Sequence, residues 1–325
     1  MQRLLHTVTT PTGGAEAAKA GAVTVGQLLA ASTRRLARAR LHYGHGTERA
    51  RDDAAALIWH VLRLPQPRAL GAMAVLLRRR VPPAARAQIE ALLQRRVHER
   101  IPVVYLTRRC WFAGLALYVD ERVLIPRSPI AELIEHRFAP WVHAARVQRI
   151  LDLGTGSGCI AIGCARAFPQ ARVDAVDISP DALAVARINI RRHRLGARVR
   201  ARTSNHFGAL KGARYDIIVS NPPYVGEREL QGLPGEFGHE PRLALAAGQD
   251  GLDSVRIILR DAAAHLTPAG VLIVEVGNSE DALRRAFPRL PFLWLTFERG
   301  GGGVFLLERA QLPGARPARG GRPTR

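Results

Sequence analysis

The chain is 325 residues long, 47% hydrophobic, and carries a formal net charge of +21. That much apolar material can bury a substantial core, and the length suits one large domain with a smaller companion. No apolar run approaches the roughly 20 residues that span a bilayer, and nothing near Met1 has the pattern of a secretory signal, so the expectation is a cytoplasmic protein with no membrane partner.

In chain order, the opening "MQRLLHTVTTPTGG" is basic and threonine-bearing, and residues 1–23 are expected to be disordered. From Thr24 to Arg100 the pattern is helical: Leu28, Leu29 and Leu36 recur at helical intervals, as do Ile89, Leu92, Leu93 and Val97, and the prolines at 82 and 83 suit a helix start. This predicts a small helical domain over residues 24–100. Between 101 and 127 the text turns β-rich, in "VVYLT", "WFAGLALYV" and "RVLIP", with "DER" as a turn, which predicts a β-hairpin connector.

From Ser128 onward, strand-like runs alternate with helical ones: "RILDL", "IAIGCARAF", "RVDAVD", "DALAVARINIRRH", "RVRAR", "YDIIVSN", a helix from about Ser254 to His265, and "GVLIVEVG". The alternation predicts an α/β architecture with a parallel sheet over residues 128–310. Its end differs, because "PFLWLTFERGGGGVFLLERA" holds two strands with no helix between them and so requires an antiparallel pair, with Gly300 to Gly303 as a hairpin turn. Residues 311–325, ending in "ARPARGGRPTR", read as a basic disordered tail. Cys110, Cys159 and Cys164 form neither a C-x-x-C pair nor a histidine-bearing cluster, so neither a disulfide framework nor a metal site is indicated.

The positive charge is almost all arginine, since Lys19 and Lys211 are the only lysines. A surface of this sign attracts polyanions such as nucleic acid. No stretch interleaves aromatic with basic residues, however, and no basic block stands outside the tail.

The first strand of the α/β region ends in "LDLGTGSGCIAI". Gly154, Gly156 and Gly158 allow a tight turn and close approach of a ligand to backbone N–H groups at the start of the next helix. The spacing is G-x-G-x-G, unlike the G-x-G-x-x-G of pyrophosphate binders, and Asp152 just before it would disfavour a diphosphate and favour a cationic amino-acid portion. That points towards S-adenosylmethionine. Asp177, nineteen residues after Gly158, ends the second strand where a carboxylate can bond both ribose hydroxyls.

With "NPPY" at 221–224 added, the chain resembles the class I S-adenosylmethionine-dependent methyltransferases and, among them, the protein N(5)-glutamine methyltransferases. The resemblance runs from about Thr24 to Leu312 and includes, in order, "DLGTGSG", "VDISPDALAVARINI", "SNPPYV", "HEPRLALAAGQDGL" and "VLIVEVGNS". It implies a Rossmann-like class I methyltransferase sheet with an antiparallel last strand, a small N-terminal helical domain and a connecting β-hairpin. It implies S-adenosyl-L-methionine as cofactor, with Asp152, Gly154, Thr155, Gly156, Gly158, Asp177, Asn205 and Asn221 as its binding residues. Of the family's two branches, "ERVLIPRSPIAELI" and "FERGGGGVFLL" resemble the one that modifies large-subunit ribosomal protein three. The implied partner is that protein, free or in an assembling ribosome, with ribosomal RNA contact through the basic surface. Class I release factors are the alternative substrate.

A glutamine amide nitrogen is a poor nucleophile, because its lone pair is delocalised into the carbonyl. Catalysis must come from orientation, through acceptors for the two N–H bonds and a flat surface over the amide plane. Asn221 offers its side-chain amide, Pro222 its backbone carbonyl, Tyr224 an aromatic face, and Pro222 with Pro223 stiffens the loop. Catalytic roles fall on Asn221, Pro222 and Tyr224, and substrate contacts on these and Pro223. An adenine amino methyltransferase would use the same four residues but needs a base-extracting recognition domain or long basic insert, and none is evident. A non-catalytic assembly factor would leave Asp152, Asp177 and Asn221 unexplained.

One departure from the family stands after the third strand, where "S-D-L-F" is usual and Ser204, Asn205, His206 and Phe207 stand here. Asn205 keeps an acceptor without the charge, and His206 reads as a partly exposed loop residue. Glu275 ends a central strand near the expected site, Phe112 reads as core or as a roof over the cofactor, and Arg127 in "IPR" has no evident partner.

Overall fold

The computed structural model describes residues 23–65 and 70–315, so residues 1–22 and 316–325, expected to be disordered, lie outside the described residues. Five helices come first: α1 (Val25–Arg38), α2 (Ala50–Leu62), α3 (Leu70–Arg78), α4 (Pro83–His98) and α5 (Val103–Thr107). Thr24 starts α1 with a capping box, its Oγ1 accepting from Gln27 N at 3.3 Å while Gln27 Oε1 accepts from Thr24 N at 2.9 Å. Pro83 opens α4, where a missing N–H costs nothing. Leu29, Leu36, Leu57, Ile89 and Leu93 close a core that also takes in Ala182 and Val185 from the following α/β region. Helices and sheet are thereby packed together.

Arg96 lies in this core, 2% exposed. Its guanidinium donates to Asp53 Oδ2 at 2.7 Å, to Glu236 Oε1 at 3.3 Å and to the carbonyl of His42 at 2.8 Å. A buried guanidinium survives here because Asp53 and Glu236 both bond it, with Glu236 shared with Arg100 at 2.9 Å.

Two stretches expected as strands are not strands. "VVYLT" is the short helix α5, and "RVLIP" joins no ladder. Strand preference of β-branched residues is weak beside tertiary contacts. Pro102 precedes the helical turn, Tyr105 donates its hydroxyl to Val123 O at 2.6 Å, and Ile125 N is met by Glu240 Oε1 at 3.0 Å in place of a neighbouring strand. The hairpin is confined to β1 (Cys110–Phe112) and β2 (Leu115–Leu117). Ala113 and Gly114 join them with φ of 45° and 70°, as a type I′ turn requires. "DER" makes only a local turn, with Val123 N bonded to Asp120 O at 3.1 Å.

The chain then lays down α6 (Ile130–Glu135), β3 (Arg149–Leu153), α7 (Cys159–Ala167), β4 (Arg172–Asp177), α8 (Pro180–Arg192), β5 (Val199–Thr203) and β6 (Tyr215–Ser220). After these come α9 (Glu227–Gln231), α10 (Asp253–His265), β7 (Leu266–Glu275), α11 (Glu280–Ala286), β8 (Leu293–Trp294) and β9 (Val304–Glu308). The seven strands from β3 onward form one sheet in the order β5-β4-β3-β6-β7-β9-β8. Pairs from β5 to β7 are parallel, while β9 runs antiparallel to both β7 and β8. This is the Rossmann-like sheet with an antiparallel end.

Alternate residues of each strand face opposite layers. Ile150, Ile217 and Ile273 pack with Ile134 and Ile162 of α6 and α7, and Leu151, Ile218 and Leu272 with Ile258 and Leu259 of α10. Both faces are covered, so these strands read as continuous apolar runs. The strand order reverses between β3 and β6, and such a switch point opens a crevice at the carboxyl ends of the strands.

The glycine run closes a loop longer than the expected hairpin turn. Its approach is anchored to α6, because Glu298 N and Arg299 N donate to the Glu132 carboxylate at 3.0 and 3.2 Å. Of residues 311–315, expected as the start of the tail, Leu312 is packed instead. Leu312 is 4% exposed, since it is the first apolar residue after β9 that can reach the core beneath α10.

Candidate active site

At the switch point β3 runs into the glycine turn. The N–H groups of Gly154 and Thr155 both bond the carbonyl of Val176 at 2.9 Å, which pins the turn to the end of β4. Gly156 N donates to Asp177 Oδ2 at 2.9 Å, and Ser179 N donates to Asp177 Oδ1 at 2.9 Å. Burial holds the Asp177 carboxyl above its usual range. Each of its oxygens keeps a further lone pair for a ligand in the cleft it lines.

Asp152 stands behind the turn and is fully buried. Its Oδ2 accepts from Thr155 Oγ1 at 2.6 Å and from Ala161 N at 3.0 Å, while its Oδ1 is buried with no partner in the protein. Burial pushes its pKa up to about 7. Gly158 takes φ +82°, and a Cβ there would stand 3.3 Å from the Cβ of Ala186. It lets α7 lie against α8.

From the other strand, Ser220 Oγ donates to Leu153 O at 2.7 Å and locks the ends of β3 and β6 together. Asn221 therefore begins beside the glycine turn: a Cβ on Gly154 would be 4.0 Å from Asn221 O. The Asn221 Oδ1 is buried and has no partner in the protein. Tyr224 donates its hydroxyl to Glu275 Oε1 at 3.1 Å, Ser128 Oγ donates to the other Glu275 oxygen, and Ser279 Oγ donates to Tyr224 O at 2.7 Å. The Tyr224 ring lies on Gly277, where a Cβ would come within 2.6 Å of it. Burial raises the pKa of both the Tyr224 hydroxyl and the Glu275 carboxyl.

These pieces enclose a cleft of about 250 Å³, whose lining includes Gly154, Thr155, Gly156, Asp177, Asn205, Asn221, Pro222 and Pro223. Three of the expected site residues are not brought into it. Strand alternation turns Asp152 under the first turn of α7, Gly158 serves helix packing, and the Tyr224 hydroxyl is drawn back to Glu275. Asn205 does line the cleft, but its Oδ1 faces His206 Nδ1 at 2.8 Å, and His206 Nε2 lies 3.3 Å from Ser254 Oγ. Phe112 is core, 4% exposed, and roofs nothing.

The partner of Arg127 escaped the sequence. Arg127 Nη1 and Nη2 donate to Glu240 Oε1 and Oε2 at 2.6 and 2.8 Å, and the guanidinium lies 5.4 Å over the ring of Phe237. Glu240 sits in "HEPRLAL", 113 residues away, so only the fold joins them. That clamp fixes the segment that gives Pro241, Leu243 and Ala244 to the cleft wall. Glu236, four residues earlier, accepts from His42 N at 2.8 Å and from Arg96, so the same wall is tied to the helical unit. Burial pushes His45, beside Glu240, down to about 4, which keeps its ring neutral.

A switch-point cleft of this kind, with its first strand turning through G-x-G-x-G and an acid one strand over, is the ground plan of the class I S-adenosylmethionine-dependent methyltransferases. The family model of the methyltransferase small domain matches residues 137–234. The ribosomal protein uL3 glutamine methyltransferase of Neisseria meningitidis serogroup B is 47% identical over 90% of this chain and 95% of its own length. That of Bordetella pertussis is 46% identical over 89% and 96%. The chain belongs to the protein-glutamine methyltransferase family, in its ribosomal protein uL3 branch.

The cofactor of this family is S-adenosyl-L-methionine, and the residues present fit it. The free lone pairs of Asp177 suit ribose hydroxyls, and the buried acceptor without a partner that lines the cleft, Asn221 Oδ1, suits a ligand with N–H donors.

Proposed function

We propose that the chain methylates the side-chain nitrogen N(5) of a glutamine in large-subunit ribosomal protein uL3, acting in the cytoplasm on the free protein or on an assembling ribosome. The observation that carries this is Asn221, whose side-chain oxygen is a buried acceptor without a partner, on a loop that follows a strand locked to the one that enters the glycine turn. The names of the relatives support the choice of substrate.

S-adenosylmethionine supplies an electrophilic methyl group. Gly154 and Gly156 offer close backbone approach, Asp177 holds the ribose, and Asn205 offers its amide to the adenine edge. Asp152 acts one step back, keeping Thr155 and the start of α7 in place. Asn221 Oδ1 and the Pro222 carbonyl accept the two N–H bonds of the substrate amide and turn its nitrogen face towards the methyl. Neither proline can donate a hydrogen bond, and both restrict φ, so the acceptors keep their places before substrate arrives. Ser220 anchors the loop at one end, and Tyr224, through Glu275 and Ser128, at the other. Orientation of this kind is worth about 7–11 kcal/mol in the best cases. The amide proton passes to solvent after transfer.

The test is transfer of label from radioactive S-adenosylmethionine to ribosomal proteins of a strain lacking the enzyme, with the site mapped by mass spectrometry. One methylated glutamine in uL3 is expected. Label on adenine of nucleic acid and none on uL3 would overturn the choice of substrate.

A further inference from the structure

A second groove, of about 760 Å³, lies between α2, α5 and β1, away from the residues of the cleft. Trp59, Leu64, Val103 and Val104 make its floor, and Arg51, Arg63 and Arg109 stand on its rim beside Trp111. Trp111 is 48% exposed, which is unusual for an indole with apolar surface nearby. The guanidinium of Arg109 lies 5.0 Å over its ring. Asp52, the one carboxylate in the lining, is engaged outside it by Arg49 at 3.4 Å. The three rim arginines have no ion-pair partner among the described residues.

We infer that this groove binds single-stranded RNA. Three unpaired guanidiniums around a concave surface suit a chain of phosphates, and an exposed indole backed by an arginine is a stacking platform for a base. An acidic peptide would satisfy the arginines and leave the indole without a use. The net charge of +21 draws a polyanion to the surface, and the groove gives it a place to settle. The sequence showed no such cluster because Arg51 and Arg63 come from α2 and its C-cap, Arg109 and Trp111 from the hairpin. The inference concerns binding and stands apart from the transfer reaction.

Fluorescence anisotropy of a labelled single-stranded RNA dodecamer, titrated with the full chain at several salt concentrations, tests it. All four side chains are exposed, so the variants keep the fold, and unchanged S-adenosylmethionine affinity confirms that. Trp111→Ala should weaken binding roughly tenfold. The triple variant R51Q/R63Q/R109Q should flatten the slope of log K against log salt by about 2, from about 0.7 per phosphate contact. Unchanged affinity and slope in both would overturn the inference. So would a glutamate-rich peptide that binds through the same arginines, is indifferent to Trp111→Ala and displaces the RNA.

Discussion

Replacing Asn221 by alanine should raise stability while it removes activity. The buried Oδ1 lacks a protein partner, and an unpaired buried acceptor costs about 1–3 kcal/mol. Removing it recovers that amount, less the packing lost with the amide group, so the free protein should gain up to about 1 kcal/mol. For a chain of 325 residues that is a rise in Tm of up to about 1–2 °C. In turnover the same oxygen orients the substrate amide, and loss of one such preorganised partner costs about 10²- to 10³-fold in kcat. Stabilisation at the expense of activity is the mark of a residue kept for function. Thermal melts of the free protein, calorimetric titration with S-adenosylmethionine and single-turnover methyl transfer measure the three quantities. A variant that melts below the wild type and still transfers methyl at the wild-type rate would refute the assignment.

Asp177→Ala should weaken S-adenosylmethionine binding by about tenfold or more in the same titration, because a charged acceptor contributes about 1.5–3 kcal/mol per hydrogen bond, and Asn221→Ala should leave it nearly intact. Asp152 has its pKa raised from 3.8 to about 7, so between those values the folded state holds a proton that the unfolded state has lost. Its contribution is therefore complete below pH 4 and declines as the pH rises to 7; Asp152→Asn removes that decline, and urea midpoints should show the variant gaining on wild type by on the order of 4 kcal/mol between pH 4 and 7.5. Arg96→Met leaves Asp53 buried without its cation, while Glu236 keeps Arg100 at 2.9 Å, and should cost about 3–5 kcal/mol in urea unfolding, much of it restored by adding Asp53→Asn.

The alternation of strands and helices was legible from Ser128 onward because both faces of the parallel sheet are covered, and that burial writes itself as apolar runs. The glycine turn, Asp177 and the "NPPY" loop were legible for a related reason: each depends on backbone geometry at a strand end, which only particular residues can adopt. Within 101–127 the hairpin strands were legible but their flanks were misread: "VVYLT", with four β-branched or aromatic residues of five, forms a helix, and the backbone of "RVLIP" is met by a neighbouring carboxylate where a ladder was expected. Ile125 is met by Glu240, and nothing local says so.

What the sequence determined by itself, then, is the order of elements and the chemistry each strand end can present, since both follow from residue type at short range. What only the tertiary structure decided is which of those groups share a space. It turned Asp152, Gly158 and Tyr224 away from the cleft, closed Arg127 on Glu240, bound the cleft wall to the helical unit through Arg96 and Glu236, and gathered Arg63 beside Arg109 and Trp111. Apart from those of Asp152, these are contacts between residues far apart in the chain, where attraction depends on the final distance and the burial around it, and neither quantity exists before the chain has folded.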